Sequence, residues 1–177
     1  MMLIAIDPGT HYLGFCIKTD GLLNIRTITE ENEVGVNRFY SIAKQTINNI
    51  ASLLPEYIAV EDYGFGGKFF NVEVAEMVGA IKYTVKEYGL KTKILFIAPN
   101  TIKKVVTGNG RAKKKEVEKA VLEYLRTNSI ELDFFKEKPS SHEFDSIAIM
   151  LVLQAFLAEE LEPNLMRSLK GRIISYG

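Results

Sequence analysis

Apolar runs and helical stripes alternate along the chain and predict a mixed α/β domain. Continuous or alternating apolar segments predict five strands, at residues 2–6, 13–18, 22–29, 57–61 and 93–97. Asp20 and Gly21 predict a tight hairpin turn between the second strand and the third. Apolar positions at helical spacing predict helices at residues 36–54, 72–88, 99–106, 113–125 and 141–160. The third of these begins with Pro99, which suits the first helical turn. This order predicts a five-stranded mixed sheet with helices on both faces.

Acidic side chains stand where two of the buried strands end. Asp7 follows an apolar run and precedes a Pro-Gly-Thr turn, and Glu61 ends a second such run. A carboxylate at the end of a buried strand is costly unless a partner satisfies it, and a divalent metal is a frequent partner. His142 and Asp145 lie on one face of the last long helix. These four residues can converge on one pocket suited to Mg²⁺-assisted phosphodiester cleavage.

Each of these residues also has an ordinary structural interpretation. A single acid after an apolar run is frequently a turn residue or a helix cap. The pair His142 and Asp145 fits the first turn of an ordinary helix equally well, with Ser140 or Ser141 as its N-cap. The order and placement of the whole set favour a catalytic site over these separate interpretations.

Four segments of the chain together resemble a known set of motifs. The first is Ile-Ala-Ile-Asp-Pro-Gly-Thr at residues 4–10, with Gly14 four positions on, and the second is Ala-Val-Glu-Asp at residues 59–62. The third, at residues 98–110, has a proline, then a lysine-rich turn and then Gly-x-Gly. The fourth is His-Glu-Phe-Asp-Ser-Ile-Ala at residues 142–148. This set resembles that of the RuvC-type Holliday junction resolvases, which belong to the ribonuclease H-like superfamily. The resemblance covers residues 1 to about 158. One departure is His142, since many members have Asp at that position.

The resemblance implies a ribonuclease H-like fold and a Mg²⁺-dependent endonuclease that nicks four-way DNA junctions symmetrically. It implies that Asp7, Glu61, His142 and Asp145 are catalytic and hold two Mg²⁺ ions, with Mn²⁺ as a substitute. Two-metal sites place their ions about 3.5–4 Å apart, and Asp7 on the central strand is the natural bridging ligand. His142 is either a ligand or an acid and base near neutral pH.

Two acids that adjoin the predicted site are left out of it. Asp62 follows Glu61, and Glu143 follows His142. Side chains alternate along a strand and rotate by about 100° per residue in a helix, so each of these acids points away from its neighbour.

Charge is balanced over the whole chain but concentrated locally. There are 22 Lys and Arg residues against 22 Asp and Glu residues, so overall electrostatics neither favour nor exclude a nucleic-acid partner. Basic residues cluster, however, in one segment, at Lys103, Lys104, Arg111, Lys113, Lys114 and Lys115. These side chains and the Gly-Asn-Gly turn at 108–110 could bind DNA phosphates, although a charge run is also typical of a solvated helix face.

Aromatic residues and glycines follow the fourth strand closely. A loop that exposes aromatic rings beside a nuclease site is suited to stacking on unpaired bases, so Tyr63, Phe65 and Lys68 are predicted DNA contacts. Phe69 and Phe70 fit a core or a subunit interface at least as well.

A four-way junction offers two equivalent strands, which favours a homodimer. Its interface is predicted on the second long helix and its approach, at Phe69, Phe70, Val72, Val74, Met77, Val78 and Ile81.

Three other functions remain open. A related ribonuclease H-like nuclease acting on other branched DNA or on RNA–DNA hybrids would use the same metal chemistry. Actin-like and sugar-kinase ATPases also begin with an apolar strand and an Asp-x-Gly-Thr turn, but they are normally much longer and need a second phosphate-binding loop that this sequence lacks. The third alternative is a catalytically inactive DNA-binding or structural module. The presence of all four site residues argues against it.

Length and cysteine content limit the remaining possibilities. A chain of 177 residues suits one well-buried domain, predicted at residues 1–160, with residues 161–177 as a tail of unknown role. Cys16 is the sole cysteine, which excludes an intramolecular disulfide and a zinc cluster and predicts a buried, inert thiol. No apolar run approaches about 20 residues. A strand begins directly after Met1, so we expect no membrane span, no targeting peptide and a cytoplasmic location.

Overall fold

The computed structural model describes residues 1–19, 22–63, 72–133 and 140–176. The predicted hairpin turn at Asp20 and Gly21 lies outside these residues. The strands are β1 (Leu3–Pro8), β2 (Tyr12–Thr19), β3 (Leu22–Thr29), β4 (Tyr57–Glu61), β5 (Lys93–Ile97), β6 (Glu131–Asp133) and β7 (Ile173–Ser175). The helices are α1 (Gly35–Ala51), α2 (Val72–Glu87), α3 (Pro99–Thr107), α4 (Lys114–Thr127), α5 (Ser141–Leu157) and α6 (Pro163–Lys170).

One mixed sheet runs through the described part of the chain, and it has seven strands in the order β6-β3-β2-β1-β4-β5-β7. The predicted count of five is therefore wrong, although the five predicted strands form the continuous centre. The two additional strands pair at the edges, β6 parallel to β3 and β7 antiparallel to β5. Each has only three residues, which is too short for an alternating pattern to be recognised in the sequence.

The central strand brings two acidic residues to the same edge of the sheet. β1 lies antiparallel to β2 and parallel to β4. The register pairs Ile6 with Val60, so the next residues along the two strands, Asp7 and Glu61, lie side by side. Parallel strands end at a common edge, which is where ligands bind in open α/β sheets.

Helices cover both faces of the sheet, as the sequence predicts. Ile4 and Ile6 pack in a layer with α1 and α2, whereas Leu3 and Ala5 pack in a layer with α3, α4 and α5. Successive strand residues face opposite sides, so Asp7 continues the series that faces α5. α5 is apolar around most of its surface because it is buried against β1 and β2.

The segment after residue 160 extends the same sheet. Leu169 of α6 is buried in the layer that contains α5, and β7 pairs with β5. α5 ends at Leu157 rather than at residue 160, and Glu159 follows it with a left-handed φ of 58°. The predicted division of the chain at residue 160 stays a prediction.

Two smaller expectations can also be compared with the structure. Cys16 is fully buried, and burial raises the pKa of its thiol far above the ordinary value, as expected of an inert cysteine. Among the helices of the described ranges, none combines the length and the apolar character needed to cross a membrane.

Candidate active site at the ends of strands β1 and β4

A glycine lets the first turn of α5 approach the sheet. Gly14 on β2 is the register partner of Asp7 on β1. A Cβ atom at Gly14 would lie 2.5 Å from the carbonyl oxygen of His142 and 3.2 Å from its Cβ. Because these distances leave no space for a side chain, the close contact requires glycine. The contact places the start of α5 over the end of β1.

Capping hydrogen bonds fix the orientation of this first turn. Ser140 is the N-cap, its Oγ accepts from the Glu143 N–H at 3.4 Å, and its own N–H donates to the Glu143 carboxylate. The Thr27 hydroxyl on β3 also donates to Glu143, at 3.0 Å. Glu143 therefore anchors the helix to the sheet, and His142 and Asp145 face β1.

Three of the four predicted site residues converge at this position. His142 Nδ1 lies 2.9 Å from Asp7 Oδ2, the distance of a hydrogen bond in which Nδ1–H donates to the carboxylate. One potential ligand atom from each of Asp7, His142 and Asp145 lies within 4.8 Å of the other two. Within the described ranges, no other group of three or more His, Cys, Asp or Glu residues has this geometry.

Glu61 lies beside this cluster and outside it. It lines a cavity of about 320 Å³ that Asp7, His142 and Asp145 also line. Burial, and then the negative charges of Asp7 and Asp145, raise the pKa of Glu61 to about 8. Burial away from water and neighbouring negative charge thus both disfavour the ionised form of this carboxyl group.

The pKa values of His142 and Asp145 are raised as well. The hydrogen bond to Asp7 raises the pKa of His142. Burial raises the pKa of Asp145, although an ion pair with Lys114 acts in the opposite direction. Raised pKa values of Glu61, Asp145 and His142 mean that these groups favour their protonated forms, and a bound cation would favour the ionised carboxylates instead.

Two lysines that the sequence assigned to DNA binding reach into this acidic pocket. Lys114 Nζ lies 2.7 Å from Asp145 Oδ2. Lys103 lines an adjoining cavity of about 210 Å³ together with Glu61 and Asp145. The sequence pattern did not indicate this proximity, because it depends on how α3 and α4 pack against α5.

The remaining basic residues lie at the surface. Arg111, Lys113 and Lys115 are exposed. Lys104 is also exposed, and its Nζ lies 3.0 Å from a carboxylate oxygen of Glu162. These four residues are thus accessible to a partner, and their assignment to DNA stays a prediction.

The glycine turn after α3 uses two of its backbone donors internally. The Gly108 N–H donates to the Lys104 carbonyl at 2.9 Å, and Gly108 has a left-handed φ of 77°. The Asn109 N–H donates to Thr107 Oγ1 at 3.1 Å. These two N–H groups end the helix, so they do not support the interpretation of the turn as a phosphate cradle.

The aromatic residues near the site are only partly described. Tyr63 lines the same cavity as the acidic cluster. Phe65, Lys68, Phe69 and Phe70 lie outside the residues that the structure describes.

Sequence reasoning missed one aromatic neighbour of the cluster. The rings of Tyr12 and His142 have their centroids 5.1 Å apart with an angle of 32° between the planes. Tyr12 begins β2 and is half exposed, so nothing in the sequence distinguishes it from an ordinary surface residue. Its ring restricts the orientations that the His142 imidazole can adopt.

Comparison with solved structures identifies the fold class. The chain is similar to the Thermus thermophilus RuvC structure, with a TM-score of 0.61 and 22% identity over 90% of this chain and 97% of that one. Thermus thermophilus RuvC in complex with a Holliday junction substrate gives a TM-score of 0.62 and 19% identity, over 90% and 96% of the two chains. The predicted mixed, ribonuclease H-like α/β fold is confirmed.

Comparison with sequences identifies the family. The family model described as crossover junction endodeoxyribonuclease RuvC matches residues 3–152. Proteins of that name from Synechococcus sp. (strain WH7803) and Prochlorococcus marinus (strain MIT 9312) are 31% and 32% identical to the chain. The two alignments cover 71% and 72% of this chain and 84% of each relative. The chain belongs to the RuvC family of crossover junction endodeoxyribonucleases.

Proposed function

We propose that this RuvC family member is an endonuclease that nicks four-way (Holliday) DNA junctions symmetrically, with Asp7, Glu61, His142 and Asp145 as its active site. The observation that carries the proposal is the convergence of Asp7, His142 and Asp145, whose potential ligand atoms lie within 4.8 Å of one another. The names of the relatives and the junction complex of Thermus thermophilus RuvC support the substrate class.

We infer that the pocket holds divalent cations, namely Mg²⁺ or Mn²⁺, with two ions per active site. The donor set fits, because Mg²⁺ prefers carboxylate oxygens and the site offers three carboxylates and an imidazole. The raised pKa of Glu61 also fits, since burial and then the negative charges of Asp7 and Asp145 disfavour the ionised carboxylate, which a bound cation would favour. When bound, such a cation polarises the scissile phosphate and lowers the pKa of a water molecule.

The protein side chains have separable tasks in this reaction. Asp7 orients the His142 imidazole through the 2.9 Å contact and keeps a proton on Nδ1. The same hydrogen bond raises the pKa of His142, so the imidazole keeps its proton to a higher pH than a free histidine does. Lys114 neutralises and orients Asp145.

We infer that DNA phosphates bind the exposed basic residues around the pocket. Lys104, Arg111, Lys113 and Lys115 are accessible, and lysine and arginine side chains attract the phosphate backbone without regard to sequence. Tyr63 lines the cavity and is positioned to contact an unpaired base.

We also infer that the working unit is a homodimer, with an interface that differs from the one predicted. Met77, Val78 and Ile81 are buried by their own chain, so they cannot face a partner. α2 instead exposes Val72 and Tyr83, which are 55% and 62% accessible. Two-fold symmetry would place one active site on each of two equivalent DNA strands.

The test is nicking of a synthetic four-way junction by the purified protein in the presence of Mg²⁺. We expect paired nicks in opposite strands, and no comparable cleavage of duplex DNA. Preference for an RNA–DNA hybrid or another branched DNA would indicate the related nuclease activity instead, and ATP turnover would indicate the ATPase. Neither alternative is favoured by an observation on this chain.

A further inference from the structure

The segment after residue 160 places a guanidinium group beside the active site. Arg172 Nη1 donates a hydrogen bond to Asp62 Oδ2 at 2.7 Å. Asp62 follows Glu61 directly, and its side chain is only 12% exposed. A short contact between opposite charges is among the stronger hydrogen bonds in proteins. The ion pair therefore defines where the Asp62 carboxylate points.

Backbone hydrogen bonds on β5 fix both partners of this ion pair. The Phe96 N–H donates to the Arg172 carbonyl at 3.2 Å, and the Asp62 N–H donates to the Ile97 carbonyl at 2.8 Å. The buried Leu169 anchors α6, and its carbonyl accepts from the Arg172 N–H at 2.9 Å. The guanidinium thus reaches across β5 from an anchored backbone, and its position is part of the fold.

The partner of Arg172 is a fourth carboxylate at the active site. Asp62 lines the same cavity as Asp7, Glu61 and Asp145. An unpaired carboxylate there would add negative charge and offer further oxygen ligands to a cation. The guanidinium neutralises this charge and donates to one of the two carboxylate oxygens, Oδ2.

We propose that Arg172 is a positioning residue that holds the Asp62 carboxylate away from the metal site, so that only Asp7, Glu61, His142 and Asp145 coordinate the cation. This inference rests on the proposed function and deepens it. It concerns a part of the chain beyond the family match, which ends at residue 152, before α6 and β7.

The experiment measures Mn²⁺ binding by electron paramagnetic resonance, together with junction nicking. In Arg172→Ala, the released Asp62 should tighten Mn²⁺ binding by about 3- to 10-fold, because one charge more attracts the ion. The nicking rate should nevertheless fall, since the additional ligand displaces the ion from its productive position. A residue with a merely structural role would weaken both.

Matched variants separate the inference from an effect on folding. Arg172→Lys keeps the charge and should stay close to the wild type. Asp62→Asn removes the competing carboxylate and leaves every proposed ligand in place, so it should nick junctions at a rate close to the wild type and should not bind Mn²⁺ more tightly. The double variant Arg172→Ala/Asp62→Asn should lose the tighter binding. Lys170→Ala, an exposed change at the last residue of α6 and two positions before Arg172, should alter neither Mn²⁺ binding nor nicking.

Several outcomes would overturn the inference. They are unchanged or weaker Mn²⁺ binding in Arg172→Ala, a double variant that behaves like Arg172→Ala, and a strong loss of nicking in Asp62→Asn. Different results would overturn the proposed function. If the wild type binds Mn²⁺ but nicks no junction, the endonuclease assignment is wrong and the binding data alone decide the role of Arg172. A wild type that binds no Mn²⁺ would overturn both.

Discussion

The ammonium nitrogen of Lys114 lies 2.7 Å from Oδ2 of Asp145, so the first residue of α4 inserts a positive charge into the acidic pocket. In the proposed reaction we expect this charge to have two opposing effects. It would compete with a cation for Asp145, and it would offer a donor to the negative charge that develops on a phosphate.

We expect Lys114→Ala to bind Mn²⁺ more tightly than the wild type and to nick junctions at least about tenfold more slowly, because one active-site donor is lost. Lys119→Ala is the matched control, since this lysine is an exposed residue of the same helix and is not among the predicted DNA contacts. Binding isotherms and single-turnover rates measure the two effects. A nicking rate equal to the wild type would limit Lys114 to neutralising Asp145.

Asp7→Asn, Glu61→Gln and Asp145→Asn should each abolish nicking and leave junction binding largely intact. Each change removes a negative ligand and keeps the shape of the side chain, whereas DNA affinity depends mainly on phosphate contacts. Gel-shift titration and cleavage of the same labelled junction measure both properties. Glu123→Gln, an equivalent change at an exposed position of α4, should have no effect. Nicking at the wild-type rate would remove the substituted residue from the active site.

The metal-free protein should lose stability as pH rises. The folded-state pKa of Glu61 is raised from 4.5 to about 8, so the folded state holds a proton that the unfolded state releases. The stabilising contribution is complete below about pH 4.5 and is lost progressively towards about pH 8. The raised pKa values of Asp145 and His142 act in the same direction.

Urea unfolding in the presence of a chelator, across this pH range, measures the effect. Glu61→Gln has no carboxyl group at this position to ionise, so its free energy of unfolding should fall less with rising pH. Added Mg²⁺ should restore stability mainly at the alkaline end. A wild-type stability that does not change between pH 5 and about 8 would contradict the shift.

Much of this architecture could be predicted because its signals are local. β3, β4 and β5 have the predicted bounds, since each is an apolar or alternating run ended by polar residues. Asp7 and Glu61 were recognisable because each is an acid at the end of such a run. β6 and β7 could not be recognised in the sequence, because strands of three residues form only where they can pair with an edge strand of the sheet.

The parts of the site that escaped prediction depend on contacts between distant segments. Lys114 meets Asp145 only because α4 packs against α5, and Arg172 meets Asp62 only because β7 joins the edge of the sheet. Leu122 lies beside the buried Val121 on α4 and is 45% exposed, because helical spacing identifies an apolar stripe but not where its buried part ends.

Gly14→Ala should destabilise the protein and reduce nicking together. The added Cβ would lie 2.5 Å from the His142 carbonyl oxygen, so the start of α5 must move away from β1. Overpacking of this kind costs about 1–3 kcal/mol, and the displacement would separate His142 from Asp7.

A second glycine provides the control for this prediction. Gly79 lies within α2, and a Cβ there would meet nothing within 4 Å. Gly79→Ala should therefore stabilise the protein by roughly 0.5–1 kcal/mol, through its better helix propensity. Urea denaturation compares the two variants. A Gly14→Ala protein with wild-type stability and nicking would mean that α5 does not depend on this contact for its position.

The last prediction concerns the oligomeric state. The exposed residues Val72 and Tyr83 lie on the same side of α2, eleven positions apart, and a second copy of the chain would cover both in a two-fold dimer. We expect a homodimer at micromolar concentration, and we expect Tyr83→Glu to shift it towards the monomer. Tyr124→Glu on α4, a similar change at a residue that is 39% exposed, should leave the dimer intact. Sedimentation velocity measures the mass, and the pairing of nicks on a junction measures the consequence. Because two symmetric nicks need two sites, the Tyr83→Glu monomer should cut one strand at a time. A monomeric wild type that still nicks both strands in a concerted manner would refute the two-fold arrangement.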